Sequence, residues 1–297
     1  MSAGIIWLAS YPKSGNTWLR SYIFTLLQDS KELQQIDINE LKTGAIASSR
    51  CWLANGLGLD LSLHSEADIA NYRSDAYHFM NRNLTSVAYH KIHDANFPVQ
   101  NGRLLCPVEA CLGALYVVRN PLDVAISFAN HMGVSIDKSI ESMGKPSYTF
   151  SARKHKFNSQ IKQNLGSWSE HVESWIDCDI DRLLIRYEDM QFDSLTSFTA
   201  ISQFLHLPSD ESSVIKAIDL CQFDKLKAQE QLNGFVEKPR KSSAFFRKGK
   251  VGDWQQVLSQ QQVERIVNDH FDVMLRLGYI DADRNLTQLC HARELVC

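Results

Sequence analysis

The chain has 297 residues, 44% of them hydrophobic and 22% charged, with a formal net charge of −3. These values describe a soluble globular protein with material for a sizeable core, arranged as one large α/β domain or two small ones. The near-neutral balance argues against a general nucleic-acid or membrane-surface binder, and no apolar run approaches the roughly 20 residues that span a bilayer.

Residues 5–9 form an apolar run that reads as a buried strand, ended by Ser10-Tyr11-Pro12. Tyr11-Pro12-Lys13 interrupts the run, so it does not read as a signal peptide, and a cytoplasmic location is expected. From Thr17 onward, Trp18, Leu19, Tyr22, Ile23, Leu26 and Leu27 recur at helical spacing. Residues 29–75 are mixed and mostly polar, with weak signals for helices and loops. Strands are predicted at 87–92 and 113–118, the second apolar enough to be central. Asn120-Pro121-Leu122-Asp123 then opens a helix, with proline in its first turn and an aspartate at its positive end.

Residues 133–160, rich in Gly, Ser and Lys, read as a mobile loop or lid. A helix over 165–176, a strand over 183–187 and helices over 195–205 and 262–277 follow. A basic, glycine-containing loop fills 238–252. Strands alternating with helices predict a single α/β domain over 1–297, a central parallel sheet flanked by helices, with substrate loops at about 40–80 and 133–165. Ligands in such folds lie beyond the carboxyl ends of the strands.

The seven cysteines show no CxxC pair, which predicts reduced and mostly buried thiols. His90 and His93 lie three apart on an alternating strand pattern, not on a zinc-binding helix, so no metal site is expected. Trp7, Trp168 and Trp175 are predicted core residues, and Trp254 is expected to pack the end of its loop. Phe79, Phe97, Phe128, Tyr148 and Phe150 are candidates either for an apolar acceptor pocket or for ordinary packing.

Chemistry concentrates in four segments. Between the first strand and helix, Lys13, Ser14, Gly15, Asn16, Thr17 and Trp18 form a loop that aims backbone N–H groups and a helix dipole at one point, as suits a phosphate. It is not an ordinary P-loop, in which Lys directly follows the last Gly; here Lys13 lies two residues before Gly15. The second segment is Arg119 after the central strand, with Ser127 two turns into the next helix. Tyr187-Glu188-Asp189-Met190 ends another strand, and Phe246 to Trp254 places two cations before glycines that let backbone approach an anion.

The chain thereby resembles the cytosolic-type sulfotransferases, whose donor is 3'-phosphoadenosine 5'-phosphosulfate (PAPS). YPKSGNTW, KIH, RNPLDVAIS, YEDM and FRKGKVGDW occur in the family's order from about residue 5 to residue 254. The resemblance looks closer to the family's bacterial members. It implies a P-loop-like fold in which Lys13 and the backbone of Ser14, Gly15, Asn16 and Thr17 hold the leaving 5'-phosphate. Trp18 would stack on adenine near Tyr187 and Phe223, while Arg119, Ser127, Arg247, Lys248 and Gly249 would hold the 3'-phosphate. Lys91 would meet the sulfonate oxygens, and His93 would take the proton of a small-molecule hydroxyl acceptor (a natural product, lipid or glycoside), leaving 3'-phosphoadenosine 5'-phosphate (PAP). No metal and no nucleic-acid partner is implied.

The sequence departs from the family pattern in three places. Asn16 replaces a commoner Thr, and Cys221-Gln222-Phe223 replaces Thr-Ser-Phe, so only Phe223 carries over. Gln255, Ser259 and Gln260 stand where animal members carry a dimer segment, with only Glu264 retained, leaving the oligomeric state open. A magnesium-dependent kinase or NTPase using the same loop, or a non-catalytic nucleotide-fold scaffold, are the competing classes.

Overall fold

The computed structural model describes residues 3–28, 34–41, 43–100, 102–150, 159–239 and 241–287. In chain order the first elements are β1 (Gly4–Ala9), α1 (Asn16–Leu27), α2 (Arg50–Leu57), α3 (Glu66–Asn83), β2 (Val87–Ile92) and β3 (Gly113–Val118). Next come α4 (Pro121–Met132), α5 (Ile136–Met143), β4 (Thr149–Phe150), β5 (Gln163–Asn164), α6 (Trp168–Ile176) and β6 (Arg182–Arg186). The remaining elements are α7 (Tyr187–Phe192), α8 (Ser194–Phe204), α9 (Glu211–Leu220), α10 (Phe223–Asn233), α11 (Trp254–Val257) and α12 (Gln260–Arg276).

The main sheet has the order β2-β1-β3-β6, and β4 pairs with β5 in a separate two-stranded sheet. β1 runs parallel to β2 in the register Gly4↔Val87 to Ala9↔Ile92. It also runs parallel to β3, from Ile6↔Gly113 to Ala9↔Tyr116. β1 and β3 are buried at every residue, which is why both read as continuous apolar runs rather than alternating ones. Each strand of this sheet runs out at its carboxyl end into a candidate residue or loop: Ser10 to Lys13 after β1, His93 after β2, Arg119 after β3 and Tyr187 after β6.

The chain forms two compact units. The first comprises Met1–Tyr11, Thr43–Tyr116 and Lys145–Leu184. Its core holds Trp7, Trp168 and Trp175, all fully buried, as expected. It also holds a buried ion pair, in which both Arg73 guanidinium nitrogens Nη1 and Nη2 donate to Asp94 at 2.8 and 2.7 Å. The second unit comprises Pro12–Lys42, Val117–Gly144 and Ile185–Cys297. Here the Tyr22 hydroxyl bonds Ser202 Oγ at 2.6 Å, and the Tyr279 hydroxyl donates to the buried carboxylate of Glu188 at 2.9 Å. Phe128 is fully buried in this unit, so it is packing.

Several expectations are corrected. Within the stretch 133–160 expected as a loop or lid, α5 is a helix, while α2 and α3 supply helices that residues 29–75 signalled only weakly. Ser49 caps α2, Ser65 and Asp68 form a capping box for α3, and Ser135 caps α5 by accepting from the Lys138 N–H. In α5, Ile140 and Met143 are buried on one side of a helix whose Ser and Lys content had suggested a loop. Residues 42 and 151–158 of those expected loops lie outside the described residues, as do Arg240 of the basic loop, Cys290 and Cys297. Tyr187 opens α7 rather than ending a strand, and α6 begins at Trp168 because Ser167 and Glu170 form its capping box. The helices α9 and α10 were not predicted, although α9 buries Val214, Ala217 and Leu220 at helical spacing; α10 carries no such periodicity. Of the five described cysteines, none is in a disulfide and only Cys106 and Cys221 are buried.

Candidate functional site

In the second unit the loop after β1 turns sharply. Lys13 adopts a left-handed conformation (φ 72°), and Gly15, the cap of α1, sits at φ 106°. No side chain caps α1 and its first turn holds no acidic residue, so the positive end of the helix is left for an external anion. Gly15 is required twice over: its φ is costly for other residues, and a Cβ there would lie 2.6 Å from Tyr187 Cδ2.

Arg119 ties this loop to the basic loop. Its Nη1 donates to the Lys13 carbonyl at 3.2 Å and its Nη2 to the Lys250 carbonyl at 2.9 Å, with the guanidinium 4.4 Å over the Tyr187 ring. The Tyr187 hydroxyl in turn donates to the Gly249 carbonyl at 2.9 Å. Trp18 meets Tyr187 edge-on at 5.8 Å and Phe198 at 5.2 Å. Phe223 opens α10 and packs on Gly249, which at φ 62° leaves no room for a Cβ beside the ring. Lys13, Trp18, Arg119, Tyr187, Phe223 and Gly249 are therefore one contiguous set. Ser127 lies half-buried two turns into α4.

Arg247 and Lys248 donate to separate oxygens of Asp253, at 2.9 and 2.6 Å. Burial alone would raise the Asp253 carboxyl, but these two cations outweigh it and hold it below its ordinary range. Asp123 accepts from the N–H groups of Gly252 and Trp254 at 2.8 and 3.1 Å, which fixes the start of α11. Burial raises its carboxyl, against the pull of Arg119 and these two N–H groups.

Three supporting residues escaped the sequence reading. Asp123 had looked like a helix-end charge. Glu230 accepts from the N–H groups of Phe245 and Phe246 at 2.7 and 2.8 Å, but it belongs to the unpredicted α10. Phe245 lies one residue before the motif, with Lys13 Nζ 3.9 Å from its ring centre.

The anion-binding fit can be tested on buried polar atoms. Ser14 Oγ and Arg119 Nε are buried without a hydrogen-bond partner in the protein. Leaving such atoms unpaired costs about 1–3 kcal/mol each, and phosphate oxygens are the acceptors both would suit. Trp18 Nε1 is similarly buried beside the aromatic cluster. The set fits a phosphorylated nucleotide.

In the first unit, Lys91 and His93 are both half-buried, one near the end of β2 and one just past it. His93 Nδ1 lies 2.8 Å from the Ser10 carbonyl and 3.4 Å from Ser10 Oγ. A carbonyl only accepts, so Nδ1 carries the proton and Nε2 carries the lone pair. That is the tautomer of a proton acceptor. The following residues are fixed too, since Trp175 Nε1 donates to the Asp94 carbonyl at 2.9 Å and the Asn96 N–H donates to Ser174 Oγ at 3.0 Å. Among the described residues no group of three or more His, Cys, Asp or Glu side chains gathers to hold a metal, and no helix is long and apolar enough to cross a membrane.

A parallel sheet, an uncapped helix after its β1 loop, and cations with edge-on aromatics around that loop mark an α/β fold of phosphate-loop type. Comparison with known proteins carries this further. The chain belongs to the sulfotransferase domain family, whose profile matches residues 4–276. It is similar to flavonol 3-sulfotransferase of Flaveria bidentis, 25% identical over 275 residues that cover 88% of this chain and 78% of that protein. Cytosolic sulfotransferase 10 of Arabidopsis thaliana is 26% identical over 273 residues, covering 87% and 74%. Among solved structures, mouse sulfotransferase SULT7A1 complexed with PAP superposes with a TM-score of 0.57 at 22% identity, over 94% of this chain and 85% of that one. Retinol dehydratase in complex with androsterone and PAP gives 0.59 at 17% identity, over 97% and 83%. These two share its fold. The protein is an enzyme of the sulfotransferase class.

Proposed function

We propose that this enzyme, a PAPS-dependent sulfotransferase with a single catalytic domain, sulfonates a hydroxyl of a small molecule with His93 as general base. The observation that carries the base assignment is the Nδ1–H contact to the Ser10 carbonyl at 2.8 Å, which puts the proton on Nδ1 and the lone pair on Nε2, the atom that would take a hydroxyl proton. Imidazole is the side chain best suited to exchange a proton near neutral pH, which fits the task. PAPS supplies the sulfonate group when bound.

Lys13, the N–H groups of Ser14 to Thr17 and the positive end of α1 neutralise charge on the 5'-phosphate side, and Lys91 does so on the sulfonate oxygens. Trp18, Tyr187 and Phe223 hold the adenine. Arg119, Ser127, Arg247, Lys248 and the Gly249 backbone hold the 3'-phosphate. His93 receives the acceptor's proton as its oxygen bonds to sulfur and the sulfur–phosphate oxygen bond breaks.

Flavonol is named for one relative's reaction and androsterone sits in one structural neighbour, so phenols, flavonols and steroids are the acceptors to screen first. The test is turnover of labelled PAPS with that panel by wild-type and His93→Ala enzyme, beside calorimetry with PAP. Loss of transfer with retained PAP binding supports the reading, and wild-type turnover by the variant overturns it. A thermal-shift comparison of PAP with ATP and magnesium separates the donor from a kinase substrate: stabilisation by PAP is expected, and stabilisation by ATP alone would contradict the reading.

A further inference from the structure

We propose that His171 is a positioning residue for His93, closing a ring of hydrogen bonds that all run in one direction and hold both the main chain and the imidazole of the base. The proposal rests on the reading of His93 as general base.

The ring begins where His93 Nδ1–H donates to the Ser10 carbonyl at 2.8 Å. The same peptide group carries the Tyr11 N–H on its other side, and that N–H is hydrogen-bonded to the Tyr116 hydroxyl. Tyr116 Oη lies 2.8 Å from His171 Nδ1, and His171 Nε2 lies 3.0 Å from the carbonyl of His93. Because a carbonyl only accepts, Nε2 of His171 carries the proton and its Nδ1 is the acceptor, which makes the Tyr116 hydroxyl the donor. Four bonds thus lead from His93 back to His93, each polarising the next in the same sense.

The surroundings keep this ring fixed. Tyr116 and His171 are fully buried, and the Tyr11 ring meets His171 edge-on at 5.3 Å. Burial pushes the His171 imidazole down to about 4, so it is neutral near neutral pH and keeps the single Nε2 proton that the ring requires. When His93 takes a proton at Nε2, positive charge spreads to its Nδ1–H. The Ser10 carbonyl meets that charge from a peptide already polarised by its N–H bond to Tyr116. A main-chain carbonyl thereby fills the orienting place that a carboxylate holds in a Ser-His-Asp triad.

His171 lies on α6, beside the buried packing positions Trp168, Val172 and Trp175. Its two nitrogens make it specific. Glutamine offers a carbonyl oxygen and an amide N–H at nearly the spacing of the two ring nitrogens, whereas phenylalanine fills the volume and offers neither.

The test measures pH profiles of kcat with PAPS and a flavonol or phenol acceptor, the acceptor KM, and PAP affinity by calorimetry, in full-length enzyme. His171→Phe is expected to lower kcat about tenfold and move the acid limb to lower pH, with PAP affinity and acceptor KM changed by about twofold or less. Tyr116→Phe, which removes only one hydroxyl, should do the same to a smaller extent, and it carries the test if His171→Phe fails to fold. His171→Gln should restore both kcat and the limb. The limb belongs to His93 if His93→Ala abolishes it. The other groups around the ring, Lys91, Tyr11 and the Arg73–Asp94 pair, are the same in all variants and cancel from the comparison.

Unchanged kcat and limb in both His171→Phe and Tyr116→Phe would overturn the positioning role. So would a glutamine variant as impaired as the phenylalanine one, or PAP affinity falling in step with kcat. Wild-type turnover by His93→Ala would instead overturn the base reading, and the ring's purpose with it.

Discussion

In the second unit the candidate nucleotide residues are organised by charge, part-exposed at Arg247 and Lys248 and buried at Arg119. Arg247 and Lys248 share Asp253 with side chains 31% and 43% exposed, and Arg119 is spread across two carbonyls and an aromatic face. In the first unit His93 Nδ1 meets the neutral, buried Ser10 groups, and the ion pair at the next residue, Arg73–Asp94, is itself buried at 4% and 1% exposure. The difference follows from what each must do. Holding a dianion needs cations, and leaving Arg247 and Lys248 within reach of water limits the cost of desolvating charge in advance. Taking a proton in one direction needs a fixed tautomer, and neutral hydrogen bonds away from water provide it.

The sharpest way to separate the two regions is His93→Ala, expected to cut kcat about 10²- to 10⁴-fold while PAP affinity is unchanged in calorimetry. Next in size is Arg73→Ala. It strands a buried carboxylate beside the base segment, so chemical denaturation should show a loss of about 3–5 kcal/mol. A loss below about 1 kcal/mol, as for surface pairs, would erase the contrast between the regions.

On the nucleotide side, Gly15→Ala forces both a strained φ and a clash with Tyr187, so PAP affinity should drop about tenfold to hundredfold. Arg247→Ala is expected to weaken PAP about tenfold with kcat at saturating donor nearly intact, read from donor titrations.

The smallest effect is in pH. His171 in the first unit and His270 in the second are both pushed down to about 4 by burial, against about 6.5 unfolded. Between those values the unfolded chain binds more protons, so stability is present above pH 6.5 and falls as pH drops, by about 1 kcal/mol for each histidine at pH 6. The raised carboxyls of Asp123 and Glu188 act in the opposite sense, contributing at acid pH and losing that contribution as pH rises through their folded values. His270→Phe should therefore flatten the dependence of the urea midpoint on pH between 7.5 and 6.

The nucleotide side was the more legible in the sequence. Phosphate chemistry demands particular residues at strand ends, so Lys13, Gly15, Arg119 and the Arg247-Lys248-Gly249 run stand out locally. The supports were silent because long-range geometry creates them. Tyr116 reaches the Tyr11 amide only through the β1–β3 register, in which Ala9 faces Tyr116. His171 reaches the His93 carbonyl only through the docking of α6 within its unit. Glu230 sits on α10, where only Leu226, Gln229 and Glu230 are buried, too few for an apolar stripe. The reading of 133–160 as a loop failed at α5 for a related reason: the helix is short and polar, held by its Ser135 cap and by four buried residues of which only Ile140 and Met143 are apolar.

The carboxylate of Asp253 has a consequence for how the enzyme meets its donor. With Arg247 and Lys248 already neutralised in part by an internal counter-ion, capture of the 3'-phosphate at the site proposed for it would be closer to ion exchange than to filling a bare cationic pit. Fewer dissolved anions are displaced on binding. Affinity for PAP should accordingly decline less steeply with added salt than two unshielded cations would dictate.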